Sequence, residues 1–223
     1  MHDLCCRLWP IKMRFDVDVK TNILLGIFVG SIVTANLIGL KIADFGIFEA
    51  SVGILVFPIT FLVTDIIEEV HGREKAKEFV LVGFIVLIFV LLITSLAVVL
   101  PFADRSWVKE EEYTKIFGMS IRIFIASITA FVIAQIHDVW AFNFWKQKTK
   151  GRFLWLRNNL STIVSQFLDT TLFMFIAFYG MSPNFTISYV FTLVIPYWLV
   201  KVLFAFFDTP FCYLGVRWLK RSG

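Results

Sequence analysis

Residues 79–100 read FVLVGFIVLIFVLLITSLAVVL, a stretch that is apolar on every side and has no charged side chain. About 20 such residues in a helix cross a hydrocarbon core of about 30 Å. A strand of a membrane barrel needs short segments of alternating polarity instead, and this stretch does not alternate. We therefore predict a membrane-spanning α-helix here and an all-α membrane protein as the fold class.

Similar apolar runs recur along the chain of 223 residues, of which 58% are hydrophobic and 17% are charged. This composition is typical of an integral membrane protein and leaves no length for a soluble catalytic domain. We predict an N-terminal segment at 1–20, a transmembrane domain at 21–214 and a basic tail at 215–223. The six predicted transmembrane helices cover residues 22–40, 47–67, 79–100, 119–144, 160–179 and 187–207.

The basic residues outside the predicted spans are distributed unequally. When successive connections alternate between the two sides of the membrane, fifteen basic residues fall on one side and four on the other. The richer side has Arg7, Lys12, Arg14, Lys20, Arg73, Lys75, Lys77, Lys146, Lys148, Lys150, Arg152, Arg157, Arg217, Lys220 and Arg221, and the poorer side has Lys41, Arg105, Lys109 and Lys115. Because cytoplasmic loops carry the excess of Lys and Arg, we predict that both termini are cytoplasmic.

Several classes of function are disfavoured. The three cysteines form neither a disulfide framework nor a metal-ligand spacing. The segment 68–71, Glu-Glu-Val-His, lacks the second histidine of a zinc-binding helix, and no nucleophile elbow or phosphate-binding loop occurs. The net charge of +4 comes from clusters beside the spans, which disfavours nucleic acid as a partner. We predict no enzyme activity, metal or cofactor, and any ATP would be hydrolysed by another subunit.

Five ionisable residues fall within the predicted spans, where each costs about 2.5–3.5 kcal/mol at the centre of a helix. They are Asp65, Arg122, Asp138, Asp169 and Lys201. Snorkelling to the headgroups is an alternative for Arg122, close to the start of its span, but not for Asp169. Lys201 lies seven residues before Asp208, on the same helix face, and a charge relation between them is either structural or functional.

The fifth predicted span carries a polar face. Arg157, Ser161, Ser165 and Asp169 recur every four residues, and Thr162 and Gln166 widen this face. Hydroxyl residues alone are explained by helix–helix hydrogen bonds, whereas Gln166 with Asp169 indicates a polar site. The pattern Gln-x-x-Asp-x-x-x-Phe occurs at 135–142 and again at 166–173. Pro58 and Pro196 predict kinks within the second and sixth spans.

The same polar residues belong to a set of motifs. Phe-Pro-Ile-Thr-Phe-Leu-Val-Thr-Asp occupies 57–65, Gln-Ile-His-Asp-Val occupies 135–139, and the others are Arg122, Ala126-Ser127, Phe142-Asn143, Ser161-Thr162, Asp169-Thr170, Phe173, Lys201 and Pro210. Together they resemble the queuosine precursor transporter family, also called the vitamin uptake transporter family, over 21–214. The resemblance implies an importer in the cytoplasmic (inner) membrane that brings 7-deazaguanine bases or queuine into the cell.

A deazaguanine presents adjacent NH and NH₂ donors that suit a carboxylate and a carbonyl oxygen that suits an amide or guanidinium. We hypothesise that Asp138 and Asp169 meet between the fourth and fifth helices, and that Trp140, Phe142 or Phe173 stacks on the base. The predicted substrate-binding residues are Asp65, Arg122, Ser127, Gln135, Asp138, Asn143, Ser161, Gln166, Asp169, Thr170 and Lys201.

Two other functions are compatible with these residues. The first is a substrate-binding membrane subunit of an ATP-driven uptake complex, which small-residue contact surfaces on the spans would favour. The second, weaker alternative is an intramembrane enzyme that uses Asp65, Asp138 or Asp169 as acid and base. The sequence leaves open the preferred precursor, the coupling ion and the choice between a monomer and a homodimer in the lipid bilayer.

Overall fold

The computed structural model describes residues 17–149, 154–207 and 209–220. Within these ranges it contains seven α-helices, one short β-hairpin and one 3₁₀ turn. The helices are α1 (Val17–Ile38), α2 (Phe57–His71), α3 (Arg73–Val99), α4 (Glu110–Lys148), α5 (Leu154–Phe178), α6 (Ile187–Phe207) and α7 (Thr209–Lys220). The strands β1 (Ile42–Asp44) and β2 (Glu49–Ser51) pair antiparallel, and the 3₁₀ turn covers Val52–Leu55.

The prediction of an all-α membrane protein is confirmed. In the described part of the chain, four helices are long and apolar enough to cross a membrane, and a fifth apolar helical segment is shorter. The four are Val17–Ile38, Glu74–Val99, Glu110–Ala134 and Ile187–Phe204, and the shorter segment is Ile163–Phe178 of α5. The total of six spans and the cytoplasmic side of the termini stay predictions.

The predicted second span, 47–67, is wrong as one continuous helix. Residues 47–56 contain the end of the hairpin and the 3₁₀ turn, and α2 begins only at Phe57. Pro58 lies in the first turn of α2, where its missing N–H costs no hydrogen bond, so it starts the helix and does not kink it. The 15 residues of α2 extend about 22 Å, which is less than the hydrocarbon thickness of about 30 Å.

The other helix boundaries differ less from the predictions. The bounds of α6 are the predicted ones, and Pro196 lies inside it. Helix α4 is longer than predicted and begins with three glutamates at 110–112, which interact favourably with the positive end of the helix dipole. The predicted boundary between the transmembrane domain and the basic tail at residue 214 falls inside α7.

Two groups of contacts show which helix ends lie together. Lys20 Nζ of α1 donates to the carbonyl of Trp218 in α7 at 2.9 Å, and Thr21 Oγ1 lies 3.0 Å from His71 Nε2 of α2. The start of α1 and the ends of α2 and α7 therefore lie together. The hydroxyl of Tyr189 at the start of α6 donates to Glu49 Oε2 of the hairpin at 2.5 Å.

The side chains pack into two apolar cores. One joins the hairpin and the 3₁₀ turn to α4, α5 and α6, with Ala50, Ile54, Val194 and Tyr197 among its buried members. The other joins α1, α2, α3 and α7. Ala50 and Ile54, before α2, belong to the first core, whereas Val63, Ile66 and Ile67 of α2 belong to the second. The segment from Ala50 to Ile67 thus connects the two cores.

Candidate functional site

An ion pair joins α5 to α6 inside the helix bundle. Lys201 Nζ donates to Asp169 Oδ2 at 2.9 Å, and the exposed fractions of the two side chains are 4% and 24%. Two further ion pairs, Lys75–Glu78 and Lys77–Glu74, are exposed on α3. Because charges withdrawn from water require partners, Asp169 and Lys201 stabilise each other as ions within the bundle.

Two aromatic rings lie beside the lysine. Its Nζ is 4.2 Å from the centroid of the Phe57 ring and 5.4 Å from that of Tyr197. An ammonium group over an aromatic face is attracted by the negative charge of the ring face. The sequence prediction included Lys201 but neither ring as part of the site. The signal for Phe57 was its place directly before Pro58, at the start of α2.

The hairpin and the 3₁₀ turn before α2 place Phe57 in this position. Ser51 Oγ donates to the carbonyl of Gly39 at 2.7 Å and accepts a hydrogen bond from the N–H of Gly53 at 3.3 Å. A Cβ on Gly53 would lie 3.0 Å from the carbonyl oxygen of Ala35, so α1 approaches the turn closely. Irregular backbone persists at membrane depth only where protein or a water-filled cavity covers it, and interrupted helices form substrate sites in transporters.

A small apolar pocket lies next to the ion pair, between the start of α2 and the middle of α6. Its lining residues are Ile54, Phe57, Pro58, Phe61, Val200, Lys201 and Phe204. The arrangement therefore places an acid, a base and an aromatic ring beside an apolar wall.

The predicted polar face of α5 is inside the protein where its side chains are described. Ser165 is buried, and its Oγ lies 3.0 Å from His137 Nδ1 of α4. Asp169, one turn further, reaches α6 through Lys201. The hydroxyl of Thr170 is fully buried and has no hydrogen-bond partner among the described groups. Gln166 is partly exposed.

Arg122 contacts the end of α5. Its Nε donates to the carbonyl of Ile176 at 2.7 Å, and Nη2 donates to that of Tyr179 at 2.5 Å. The last carbonyls of a helix have no partner within it and carry partial negative charge, so the guanidinium caps α5. This contact explains an arginine within a span without snorkelling.

The remaining predicted site residues are not all brought together. Asp65 is exposed on α2 and has a contact of its own, and Ser127 is half-buried on α4. Four predicted side chains, Gln135, Asp138, Asn143 and Ser161, lie outside the described ones. The meeting of Asp138 with Asp169 therefore stays a prediction.

The structure describes only some of the residues predicted to pair with Lys201 or to stack on the base. Asp208 lies outside the described residues, as does the side chain of Phe142, whereas Lys201 pairs with Asp169. Trp140 is 61% exposed and stacks on Phe144 at 5.6 Å, and Phe173 packs edge-on against Phe178 at 6.3 Å. Among the described residues, no cluster of His, Cys, Asp and Glu is arranged to hold a metal ion.

Comparisons with known proteins point to one kind of protein. A family model described as "Putative vitamin uptake transporter" matches residues 51–215. A "Probable queuosine precursor transporter" of Bacillus subtilis (strain 168) is 30% identical over 202 residues, which cover 89% of this chain and 86% of that protein. The "Queuosine precursor transporter" of Escherichia coli (strain K12) is 32% identical over 162 residues, covering 72% and 69%. No solved structure matches the chain significantly.

Proposed function

The chain belongs to the vitamin uptake transporter family, and from this membership we propose that it imports queuosine precursors, 7-deazaguanine bases or queuine, across the cytoplasmic membrane. The names of its relatives support the substrate and also agree with the expectation that the chain is not an enzyme. The observation that carries the proposal is the Asp169–Lys201 pair within the bundle, beside the interrupted second crossing.

The chemistry of the pair suits the flat base. In the proposed complex the carboxylate of Asp169 accepts the adjacent NH and NH₂ donors, and the ammonium of Lys201 donates to the carbonyl oxygen. Phe57 covers one face of the ring system, as aromatic side chains do with bases in single-stranded nucleic-acid complexes. Gln166, three residues before Asp169 and on the same side of α5, supplies an amide, and Gln135 and Asp138 join from α4.

The ion pair also keeps the empty site stable. Without substrate, Lys201 and Asp169 satisfy each other, so neither is left as an isolated charge in a water-poor interior. When the base enters, each exchanges its partner for a polar group of the substrate. Specificity then follows, because a molecule that lacks the donor edge or the carbonyl oxygen leaves one of the two charges unpaired.

The direct test of the site is binding of labelled precursor to purified protein. Asp169→Asn keeps the size of the side chain and removes its charge, and hydrogen bonds to charged groups contribute about 1.5–3 kcal/mol. We expect affinity to fall on the order of 10- to 100-fold. Glu78→Gln is the matched control, because it removes a carboxylate from an exposed pair on α3. Unchanged affinity in Asp169→Asn would remove Asp169 from the site.

Autonomous transport is tested separately. Purified protein in liposomes should accumulate labelled precursor when an ion gradient is imposed. Binding without accumulation, followed by uptake only when an ATPase module is added, would favour the ATP-driven subunit. The small residues Ala126, Ala130 and Ala134 of α4 do not favour it, since all three are buried within the chain.

A further inference from the structure

Four polar side chains of α4, α5 and α6 form a line in the bundle, with a side-chain contact between helices at each end of it. It begins at His137, whose Nδ1 lies 3.0 Å from the hydroxyl of Ser165. Ser165 and Asp169 are four residues apart on α5, so they are neighbours on one face. The line ends at Lys201, 2.9 Å from Asp169. Ser165 and Lys201 are 6% and 5% exposed, so the middle and one end of the line are covered by protein.

The type of residue at each position is informative. A hydroxyl group both accepts and donates a proton, and histidine is the side chain whose ordinary pKa lies nearest to neutral pH. Chains of acids and histidines within membranes carry protons in pumps and transporters. A bond that only held α4 to α5 would not need a titratable ring, because an amide side chain has the same capacity to bond a serine.

The positions of Arg122 and His137 along α4 show toward which end of the α4–α5 pair the line runs. Arg122 lies near the end of α5 at Ile176 and Tyr179. His137 lies further along α4, toward the connection at 149–154 that the distribution of basic residues assigns to the cytoplasm. The line therefore leads from the proposed substrate site at Asp169 toward the predicted cytoplasmic side.

We propose that import is coupled to protons and that Ser165 and His137 conduct the proton from Asp169 to the cytoplasm. This inference rests on the proposed function of the Asp169–Lys201 site. The base binds the Asp169 carboxylate, and a proton from the outer side then neutralises that carboxylate. The base loses its acceptor and leaves inward. The carboxyl proton passes to Ser165 Oγ while Ser165 gives its own proton to His137 Nδ1.

The cycle balances at one proton per base. His137 releases its Nε2 proton toward the cytoplasm, Ser165 is again a neutral hydroxyl, and Asp169 returns as a carboxylate to Lys201. The imidazole then exchanges its remaining Nδ1 proton for one at Nε2 through cytoplasmic water, with no net proton transfer, so that Nδ1 again accepts. Two further titratable or charged side chains lie near the line. Tyr197 of α6 has its ring 5.4 Å from Lys201 Nζ. Lys148 of α4 lies over Phe144, and Trp140 separates that ring from His137.

The test uses purified full-length chain in liposomes with the nitrile base, 7-cyano-7-deazaguanine, as a neutral labelled probe. With the membrane potential clamped and the outside one pH unit more acidic, one proton per base supports about tenfold accumulation. We expect wild type to approach this ratio and to acidify the liposome interior when the probe is added. Exchange of labelled for unlabelled probe without a gradient measures the site alone.

The variants separate coupling from binding. His137→Gln retains a partner for Ser165 but does not titrate, so accumulation should disappear while probe exchange continues. Ser165→Ala should act in the same way. Thr171→Ala is the control, because that hydroxyl of α5 bonds the carbonyl of Phe167 in its own helix and its loss should leave accumulation intact.

Each outcome decides one claim. Absence of probe exchange in wild type contradicts the proposed function itself. Exchange without any response to the pH gradient overturns proton coupling and leaves the substrate site standing. Normal accumulation in both His137→Gln and Ser165→Ala removes these two residues from the route. If His137→Gln does not fold, Ser165→Ala and proton entry in wild type still decide the proposal.

Discussion

The strongest energetic prediction concerns removal of one partner from the Asp169–Lys201 pair. Breaking a buried ion pair in this way costs about 3–5 kcal/mol, because the remaining charge is left without compensation. Lys201→Met leaves Asp169, which is 24% exposed, and we expect a loss near 3 kcal/mol. Asp169→Leu leaves an ammonium group that is only 4% exposed, and we expect a loss near 5 kcal/mol.

The double variant gives the decisive comparison. Replacing a buried ion pair with apolar side chains of similar volume is often neutral or stabilising. Asp169→Leu with Lys201→Met should therefore recover most of the stability lost in either single variant. The free energy of unfolding is measured by denaturant titration in detergent micelles for the wild type, the two single variants and the double variant. These four values form a double-mutant cycle.

A second double-mutant cycle on an exposed ion pair serves as the control. Lys77 and Glu74 lie on the surface of α3 with 60% and 83% of their side chains exposed. Exposed pairs of this kind contribute about 0.3–0.5 kcal/mol in a helix, so their cycle should show little coupling. If the losses of Asp169→Leu and Lys201→Met simply add, the two charges do not stabilise each other and the reasoning is refuted. If the double variant also imports precursor, the role of Asp169 in recognition is refuted.

Substitutions at three further sites, two of them with a control substitution, test other contacts. Arg122→Met should lower the free energy of unfolding by about 1–3 kcal/mol, because two carbonyls at the end of α5 lose a charged donor; the same denaturant titration measures it. Gly53→Ala should destabilise by about 1–3 kcal/mol through its contact with backbone, whereas Gly118→Ala has open space and should be neutral or stabilising. Phe57→Leu should weaken precursor binding on the order of 10-fold or more through loss of stacking, and Phe57→Tyr should not; equal binding in both would exclude a role for the ring.

Much of the fold was predictable because hydrophobicity is a local property of the chain. The apolar stretch at 79–100 and the run at 187–207 are helices in the structure, since a bilayer requires each such segment to satisfy its own backbone. The same reasoning identified Asp169, Lys201 and Arg122, because an ionisable side chain at membrane depth needs a partner wherever that partner lies.

The partners themselves were decided by the tertiary structure. Lys201 is two turns before Asp208 in sequence, yet it bonds Asp169, 32 residues away, and lies over Phe57 of another helix. Arg122 reaches carbonyls 54 and 57 residues further along the chain. Helical spacing predicts only neighbours within one helix, so contacts between helices were not accessible from it.

Residues 47–67 show most clearly the difference between what the sequence predicts and what the tertiary structure decides. The composition of residues 47–67 indicates apolar surroundings, because apolar side chains leave water. It did not determine that a hairpin and a 3₁₀ turn precede α2. That conformation exists because α1 and α6 pack against Gly53 and Ile54 and cover the irregular backbone. The sequence therefore indicated which stretches are apolar enough for a membrane, and packing between helices decided where α2 begins and which side chains meet there.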